Sequence, residues 1–317
     1  MKVGICFSKE LVGDTPLSHV VIKLPVYIRL LELMIDKGWE TYILTRKVYK
    51  GGGVFGGGWK FTDLPAGRQG GKFVITKDDL LMDLVYDRTG GIAFPEEGDS
   101  LPVVNERRFK VLAWDKWAAY QVIGEYMPKT FLVENEGEIA SVLAKIKTDK
   151  IVLKPFNGLK GLGVFIGPKE EAIGFKFPEK FPRYIAQEFV DTRSGIPNIT
   201  PGLHDLRVAI VNGKPVWCHV RVPEQGSFLA NAAQGGNLSE VNYDKVPDSI
   251  KHVVREVSAM FLRDYDNPIY SLDFGIDKNG TPLIFEINDQ LGFPKWEMEA
   301  RDSFLTGLIS NFEKKLI

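Results

Sequence analysis

The sequence predicts a mixed α/β protein: a small doubly wound unit at the N-terminus, followed by strand-rich units built from hairpins. Three observations carry this. The chain opens as strand, helix, strand. The stretch "IVLKPFNGLKGLGVFIG" (151–167) sets a glycine-rich loop between two β-rich runs. The stretch "YSLDFGIDKNGTPLIFEIND" (270–289) sets Asn279-Gly280 between two more, a strong short-range hairpin signal. A chain of 317 residues is long enough for two or three domains with cores of their own.

Taken in order, "KVGICF" is a short buried strand, and "VIKLPVYIRLLELMIDKG" then places apolar residues at helical spacing up to a stop at Gly38. "ETYILT" is the next strand, which completes a βαβ opening. Residues 50–73 are the most glycine-biased part of the chain, but they contain no GK[ST] and open no helix, so a loop or irregular hairpin is expected. "DLLMDLVYDRTG" resumes order, and "LPVVNE" is a strand and turn. The basic run "NERRFK" (105–110) reads as a solvated turn. In "AWDKWAAYQVIGEYMPKTFLV", Asp115 caps a helix running to about Glu125, which puts Lys116 in the first turn, where a cation opposes the helix dipole. A lysine aimed at a bound anion explains that placement better than a surface lysine. Beyond Ile151 the chain is mostly short strands, apart from a helix near residues 248–265 and a C-terminal helix.

Composition excludes some classes. With 44% hydrophobic and 26% charged residues and a net charge of −1, no global charge points to nucleic acid or an anionic membrane. Cys6 and Cys218 sit in apolar runs without metal spacing and read as buried thiols of a reducing compartment. "MKVGICFSKE" reads as a first strand and not a signal peptide, and the apolar stretch 20–35 is interrupted by Lys23, Arg29 and Glu32. A cytoplasmic protein is expected. His19, His204, His219 and His252 show no metal spacing and read as structural or surface residues, His204 being a contact near the site at most.

The loop at 151–167 is neither a Walker loop nor a dinucleotide loop, since it lies between strands and opens no helix. A hairpin tip of this kind can fold over a triphosphate with its N–H groups on the oxygens, and Lys154 can reach a phosphate from below. In the 270–289 hairpin, a two-residue turn at Asn279-Gly280 pairs Lys278 with Thr281. Counting outward then puts Asp273 opposite Glu286 and Ser271 opposite Asn288. Facing carboxylates repel. With Asn288 on the face of Glu286 they form a hard-oxygen set suited to Mg²⁺, and a cation resolves the repulsion. The alternative is a solvated acidic face. "HDLRVAIVNGKPVWCHVRV" (204–222) is another Asn-Gly hairpin, with Asp205 and Arg207 on one face.

In this order the "DK" helix, "LKP" with its glycine loop, "QEFV", "HDLRV", "RV…FLANAAQGG", "SLDFG" and "FEIND" resemble the ATP-grasp superfamily over roughly residues 103–300. The likeness is nearest to the RimK-type and glutathione synthetase-like ligases. It implies an ATP-grasp fold of three parts: an N-terminal Rossmann-like domain (1–110), a central lid domain (111–190) and a C-terminal mixed-sheet domain with the metal site (191–317). By position it implies that Lys116 and Lys154 contact phosphate and that Gly158, Gly161 and Gly163 form the lid loop. Gln187, Glu188, Phe189 and Val190 would be the adenine hinge, Asp205 and Asn231 further nucleotide contacts, and Arg207 and Arg221 catalytic. Asp273, Glu286 and Asn288 would hold the metal.

The activity implied is ATP-dependent carboxylate–amine ligation through an acyl phosphate, releasing ADP and phosphate. The cofactors implied are ATP and Mg²⁺, as two ions bridged by Glu286, with Mn²⁺ as an alternative. The partners would be a small-molecule or peptide carboxylate and an amine or amino acid, with neither nucleic acid nor membrane; a homo-oligomer is left open. Two positions depart from the pattern: Leu229 stands where the ligases usually have arginine, and Leu291 precedes Gly292 where they often have proline. Both fall in the region of the acyl substrate. The rival readings are an ATP-grasp kinase and a non-catalytic ATP-binding regulatory protein.

Overall fold

The computed structural model describes residues 1–9, 16–63, 71–158, 161–224 and 237–317. Its first part is the βαβ opening: β1 (Lys2–Phe7), α1 (Leu24–Asp36) and β2 (Glu40–Thr45). Pro25 occupies the first turn of α1, where its missing N–H costs nothing. Val26, Tyr27, Leu30, Leu31 and Met34 turn inward at helical spacing. The helix stops as expected at Gly38, whose φ of +77° suits a residue without a side chain. The glycine-biased segment is two hairpins: β3 (Tyr49–Gly51) with β4 (Val54–Phe55), and β5 (Gly58–Asp63) with β6 (Gly71–Thr76). Gly57 is needed between them, because a Cβ there would lie 2.6 Å from the Thr76 carbonyl. After β7 (Leu80–Leu81) come β8 (Leu84–Arg88) and β9 (Val103–Val104). The six-stranded sheet has the order β6-β5-β2-β1-β8-β9, with β2, β1, β8 and β9 parallel. The chain leaves β1 toward β2 on one side and later fills β8 and β9 on the other.

The run "NERRFK" is not a solvated turn. It enters α2 (Arg107–Trp114), with Lys110 buried against the Asp87 carboxylate and the Phe94 carbonyl. The sequence signal was misleading because charge was counted without a partner. In α3 (Lys116–Ile123), Asp115 is the cap expected, its carboxylate accepting from the N–H groups of Trp117 and Ala118 at 2.9 and 3.0 Å. β10 (Thr130–Val133), α4 (Ile139–Leu143), β11 (Lys150–Pro155), β12 (Phe165–Pro168), α5 (Lys169–Ala172) and β13 (Tyr184–Glu188) follow. Their antiparallel sheet has the order β10-β13-β11-β12, so the glycine loop does connect two paired strands.

The last part holds β14 (Asp205–Val211), β15 (Lys214–Val222), β16 (Asn237–Glu240), α6 (Asp248–Asp264), β17 (Ile269–Ile276), β18 (Pro282–Asn288) and α7 (Arg301–Lys315). The antiparallel order is β16-β15-β14-β17-β18. One core joins this part to the N-terminal sheet: Phe304, Leu308 and Phe312 of α7 pack with Ile5, Leu30 and Tyr86. The buried Asn105 amide adds a polar clamp, donating to the Ile269 carbonyl and accepting from the Ile269 N–H, each at 2.6 Å.

The register at β17 and β18 is as counted, with Asp273 opposite Glu286 and Ser271 opposite Asn288. The route to it differs. The turn is a three-residue loop, closed by the Asp277 N–H to the Thr281 carbonyl at 3.0 Å, with Gly280 at φ +82°. Ile276 pairs with Pro282, and an extra residue, Phe285, then shifts the ladder back by one.

Candidate active site

A cavity of about 500 Å³ opens between the central sheet and the five-stranded sheet. It is lined by Lys116, Lys154, Gly158 and Gly161, by 187–190, and by Asp205, Arg207, Arg221, Asp273, Glu286 and Asn288. Nearly every residue singled out in the sequence therefore meets in one place. Gly163 does not line the cavity; its carbonyl accepts from the Tyr184 hydroxyl at 3.0 Å. Asn231 and Leu229, like residues 159–160 of the loop, lie outside the described residues.

The floor is a charged row running across the sheet. Arg207 lies opposite both Asp273 and His219 in the ladder, and Asp205 opposite Arg221. Arg207 grips Asp273 with two hydrogen bonds of 2.6 Å, the fork geometry a guanidinium gives a carboxylate. Arg221 adds a third at 2.8 Å and also pairs with Asp205. Burial acts to raise the Asp273 carboxyl, but Arg207 and Arg221 outweigh it and hold Asp273 well below the usual carboxylate range. Asp205 moves the other way, pushed up by burial and then by the Asp273 charge. His219 is lowered to about 3 by burial, Arg207 and Arg221, and is therefore neutral. His204 also lines the cavity but is spent on structure: its Nε2 accepts from the Ile276 N–H at 3.1 Å, and its Nδ1 is 3.0 Å from the Gly202 carbonyl.

The roof is held by two lysines. The Lys116 ammonium donates to the Gly158 carbonyl at 2.8 Å and pairs with Glu286 at 3.0 Å, joining the glycine loop to β18. That contact explains a cation in the first turn of a helix. Lys154 donates to the Gln187 side chain at 2.9 Å and to the Phe285 carbonyl at 3.4 Å. Gln187 is itself fixed by Thr130, at 2.9 Å. Burial lowers Lys154 to about 8, Glu286 opposing and Lys116 reinforcing the shift. The Glu188 carboxylate accepts from the Lys147 N–H at 2.9 Å.

The repulsion expected between Asp273 and Glu286 is thus already offset by protein cations. Whether a divalent cation fits can be judged from the donors. Two carboxylates and an amide line the same wall, the Asn288 side-chain nitrogen donating to Asp273 at 3.2 Å, and the buried Asp205 Oδ1 has no hydrogen-bond partner. These hard oxygens suit Mg²⁺. No cluster of three His, Cys, Asp or Glu side chains able to hold a metal occurs among the described residues, and the proposed set draws its third donor from an amide. Sequence reasoning missed Gln290 and Phe285 in the cavity wall. Gln290 had a signal in its place two residues beyond Asn288, just past the end of β18.

Comparison with known proteins places this geometry. Residues 116–264 match the family described as the ATP-grasp domain of prokaryotic glutathione synthetase. That stretch, a little under half of the chain, is thus similar to an ATP-grasp domain, in keeping with the order of its motifs. It is similar to a probable alpha-L-glutamate ligase of Pasteurella multocida, at 24% identity over 225 residues that make up 69% of this chain and 66% of that protein. It is also similar to a glutathione synthetase of Buchnera aphidicola, at 26% identity over 61% of this chain and 56% of that protein. The match therefore spans about two thirds of the glutamate ligase and somewhat over half of the synthetase. Among solved structures, a RimK domain ATP-grasp protein from Sphaerobacter thermophilus superposes with a TM-score of 0.59 at 15% identity, covering 98% of this chain and 99% of that one. D-alanyl-alanine synthetase A from Vibrio cholerae superposes with 0.62 at 12% identity, covering 99% and 98%. These superpositions establish the fold.

Proposed function

We propose that the protein is an ATP-dependent ligase that joins a carboxylate to an amine, in a frame of three domains at 1–110, 111–190 and 191–317. One observation carries this reading: four cations, Lys116, Lys154, Arg207 and Arg221, share a nucleotide-sized cavity with the hard-oxygen set Asp273, Glu286 and Asn288 under a glycine loop. Phosphoryl transfer needs positioning and charge compensation more than a protein nucleophile. Lys154 and Lys116 bind the phosphates from the lid side, the loop at Gly158 and Gly161 covers them, and 187–190 hold the base. Asp273, Glu286 and Asn288 would hold Mg²⁺, which would supply neutralisation of the phosphate oxygens.

A substrate carboxylate oxygen attacks the γ-phosphorus and the bond to ADP breaks. The amine nitrogen then attacks the acyl carbon, phosphate leaves, and the nitrogen gives up a proton. Arg207 and Arg221 line the same cavity and would face the charge that develops on the phosphoryl group. The ligase names of the relatives support the reading. No described helix is long and apolar enough to cross a membrane, and a cytoplasmic location remains part of the proposal. An ADP-release screen over pairs of acids and amines tests it. Release that requires one acid and one amine together is expected. Release with a hydroxyl acceptor and no acid would make the protein a kinase, and ATP binding without release under any pair would make it a binder.

A further inference from the structure

Arg88 ends β8, at the carboxyl edge of the N-terminal sheet, beside Phe7 at the end of β1. The chain diverges between these two strands, β1 continuing to β2 and β8 to β9 on opposite sides. Open α/β sheets bind ligands in the crevice beyond such a point. Arg88 is a cation that no carboxylate among the described residues compensates there. Its Nε is shut off from solvent with no hydrogen-bond partner, and it forms no ion pair with any described carboxylate. The neighbouring Asp87 carboxylate points to the other face and is taken by Lys110.

Among the described residues, what surrounds the Arg88 guanidinium is neutral. Its Nη1 donates to the Tyr86 hydroxyl at 3.3 Å, and the Tyr27 hydroxyl also interacts with it. It lies 5.4 Å from the ring centres of Tyr86 and Phe293. Burial pushes the Tyr86 hydroxyl up to about 12, so it stays protonated and supplies no counter-charge. A desolvated cation without an anion is costly, whereas a guanidinium fork matches a carboxylate in shape and charge.

The segment 290–293 runs from the ligation cavity to the Arg88 guanidinium. Phe293 stacks on Tyr27 at 4.1 Å, and the residue before it, Gly292, lines that cavity. Gln290, another lining residue, donates to the Asp87 carbonyl at 3.2 Å. The phosphate-binding lysines are on the lid side, so Arg88 is free for a different anion.

We infer that Arg88, with the Tyr27 and Tyr86 hydroxyls, is the subsite for the non-reacting carboxylate of an amino-acid substrate. A single cation among neutral donors suits a monoanion better than a phosphate dianion. The inference rests on the ligase reading for its substrate class, but its test does not need turnover. The full chain, labelled with ¹⁵N-arginine, gives an Nε–H resonance for Arg88 that is assigned by its loss in Arg88→Lys. Free amino acids, their carboxamides and inorganic phosphate are titrated in turn, with and without the Mg²⁺ complex of a non-hydrolysable ATP analogue. A saturable shift with an amino acid, absent with its carboxamide, is expected. With an active pair in hand, Arg88→Lys should raise KM for that amino acid roughly 10- to 100-fold and leave ATP affinity unchanged. No shift with any amino acid, an equal shift with the carboxamide, or saturation by phosphate alone would overturn the assignment. A chain that shows the shift but releases no ADP with any acid and amine would keep the subsite and lose the ligase.

Discussion

Lys154 should make ATP binding depend on pH. Its ammonium is partly buried beneath the glycine loop with only neutral acceptors in contact, the Gln187 side chain and the Phe285 carbonyl. Burial brings it to about 8, with Glu286, Asp205 and Asp273 acting to raise it and Lys116 to lower it. A protonation equilibrium centred there leaves roughly 90% of the protein charged at pH 7 and roughly 10% at pH 9. A phosphate beside Lys154 favours the charged form, so binding takes up a proton near pH 8. Affinity should therefore fall about tenfold between pH 7 and pH 9. For the free protein the sign is opposite. The folded value lies below the unfolded one, the unfolded chain holds more protons between the two, and this lysine's contribution to stability rises with pH from about 8 up to the unfolded value. Calorimetry of the Mg²⁺ complex of a non-hydrolysable analogue, in buffers of different ionisation enthalpy, measures affinity and proton uptake together. Lys154→Met serves as the reference for titration of the nucleotide itself, and it should bind at least about tenfold more weakly at pH 7, roughly 1.4 kcal/mol. If wild type and Lys154→Met lose affinity in parallel as the pH rises, Lys154 is not on the phosphates.

Three further outcomes follow from the contacts. Glu286→Gln should lose metal-dependent ATP turnover by at least about a hundredfold in the ADP-release assay. Its urea midpoint should move little, because the partly exposed pair with Lys116 contributes about 1 kcal/mol or less. Asn105→Ala removes both bonds to the Ile269 backbone and should cost about 2–3 kcal/mol in urea unfolding with the slope unchanged. Asp115→Ala removes the cap ahead of Lys116 and should cost about 1 kcal/mol, together with a measurable loss of nucleotide affinity.

Much of the site could be read from local patterns because strand period and turn chemistry are local. Asp115 as a cap, the glycine loop between paired strands and the Asp273–Glu286 pairing all came from spacing of a few residues. Bulges were not readable. The Asp273–Glu286 count succeeded because the longer turn and the extra Phe285 cancel. The same count from the Asn212-Gly213 turn would set Arg221 opposite His204, whereas the irregularity past Ile210 and Pro215 sets it opposite Asp205. That one-residue shift puts Arg221 on Asp205 and Asp273 and gives the floor its charge network. The roles of Lys110 and Arg88 needed tertiary partners distant in sequence, which charge counting along the chain does not supply.

The central claim is that the cavity makes an acyl phosphate, and hydroxylamine trapping tests it most directly. With Mg²⁺, ATP and the acid selected by the ADP-release screen, hydroxylamine should replace the amine and yield the acid's hydroxamate in step with ADP. In Glu286→Gln both products should vanish together. ADP formed by the wild-type protein with no hydroxamate, in the presence of that acid, would contradict the acyl-phosphate mechanism.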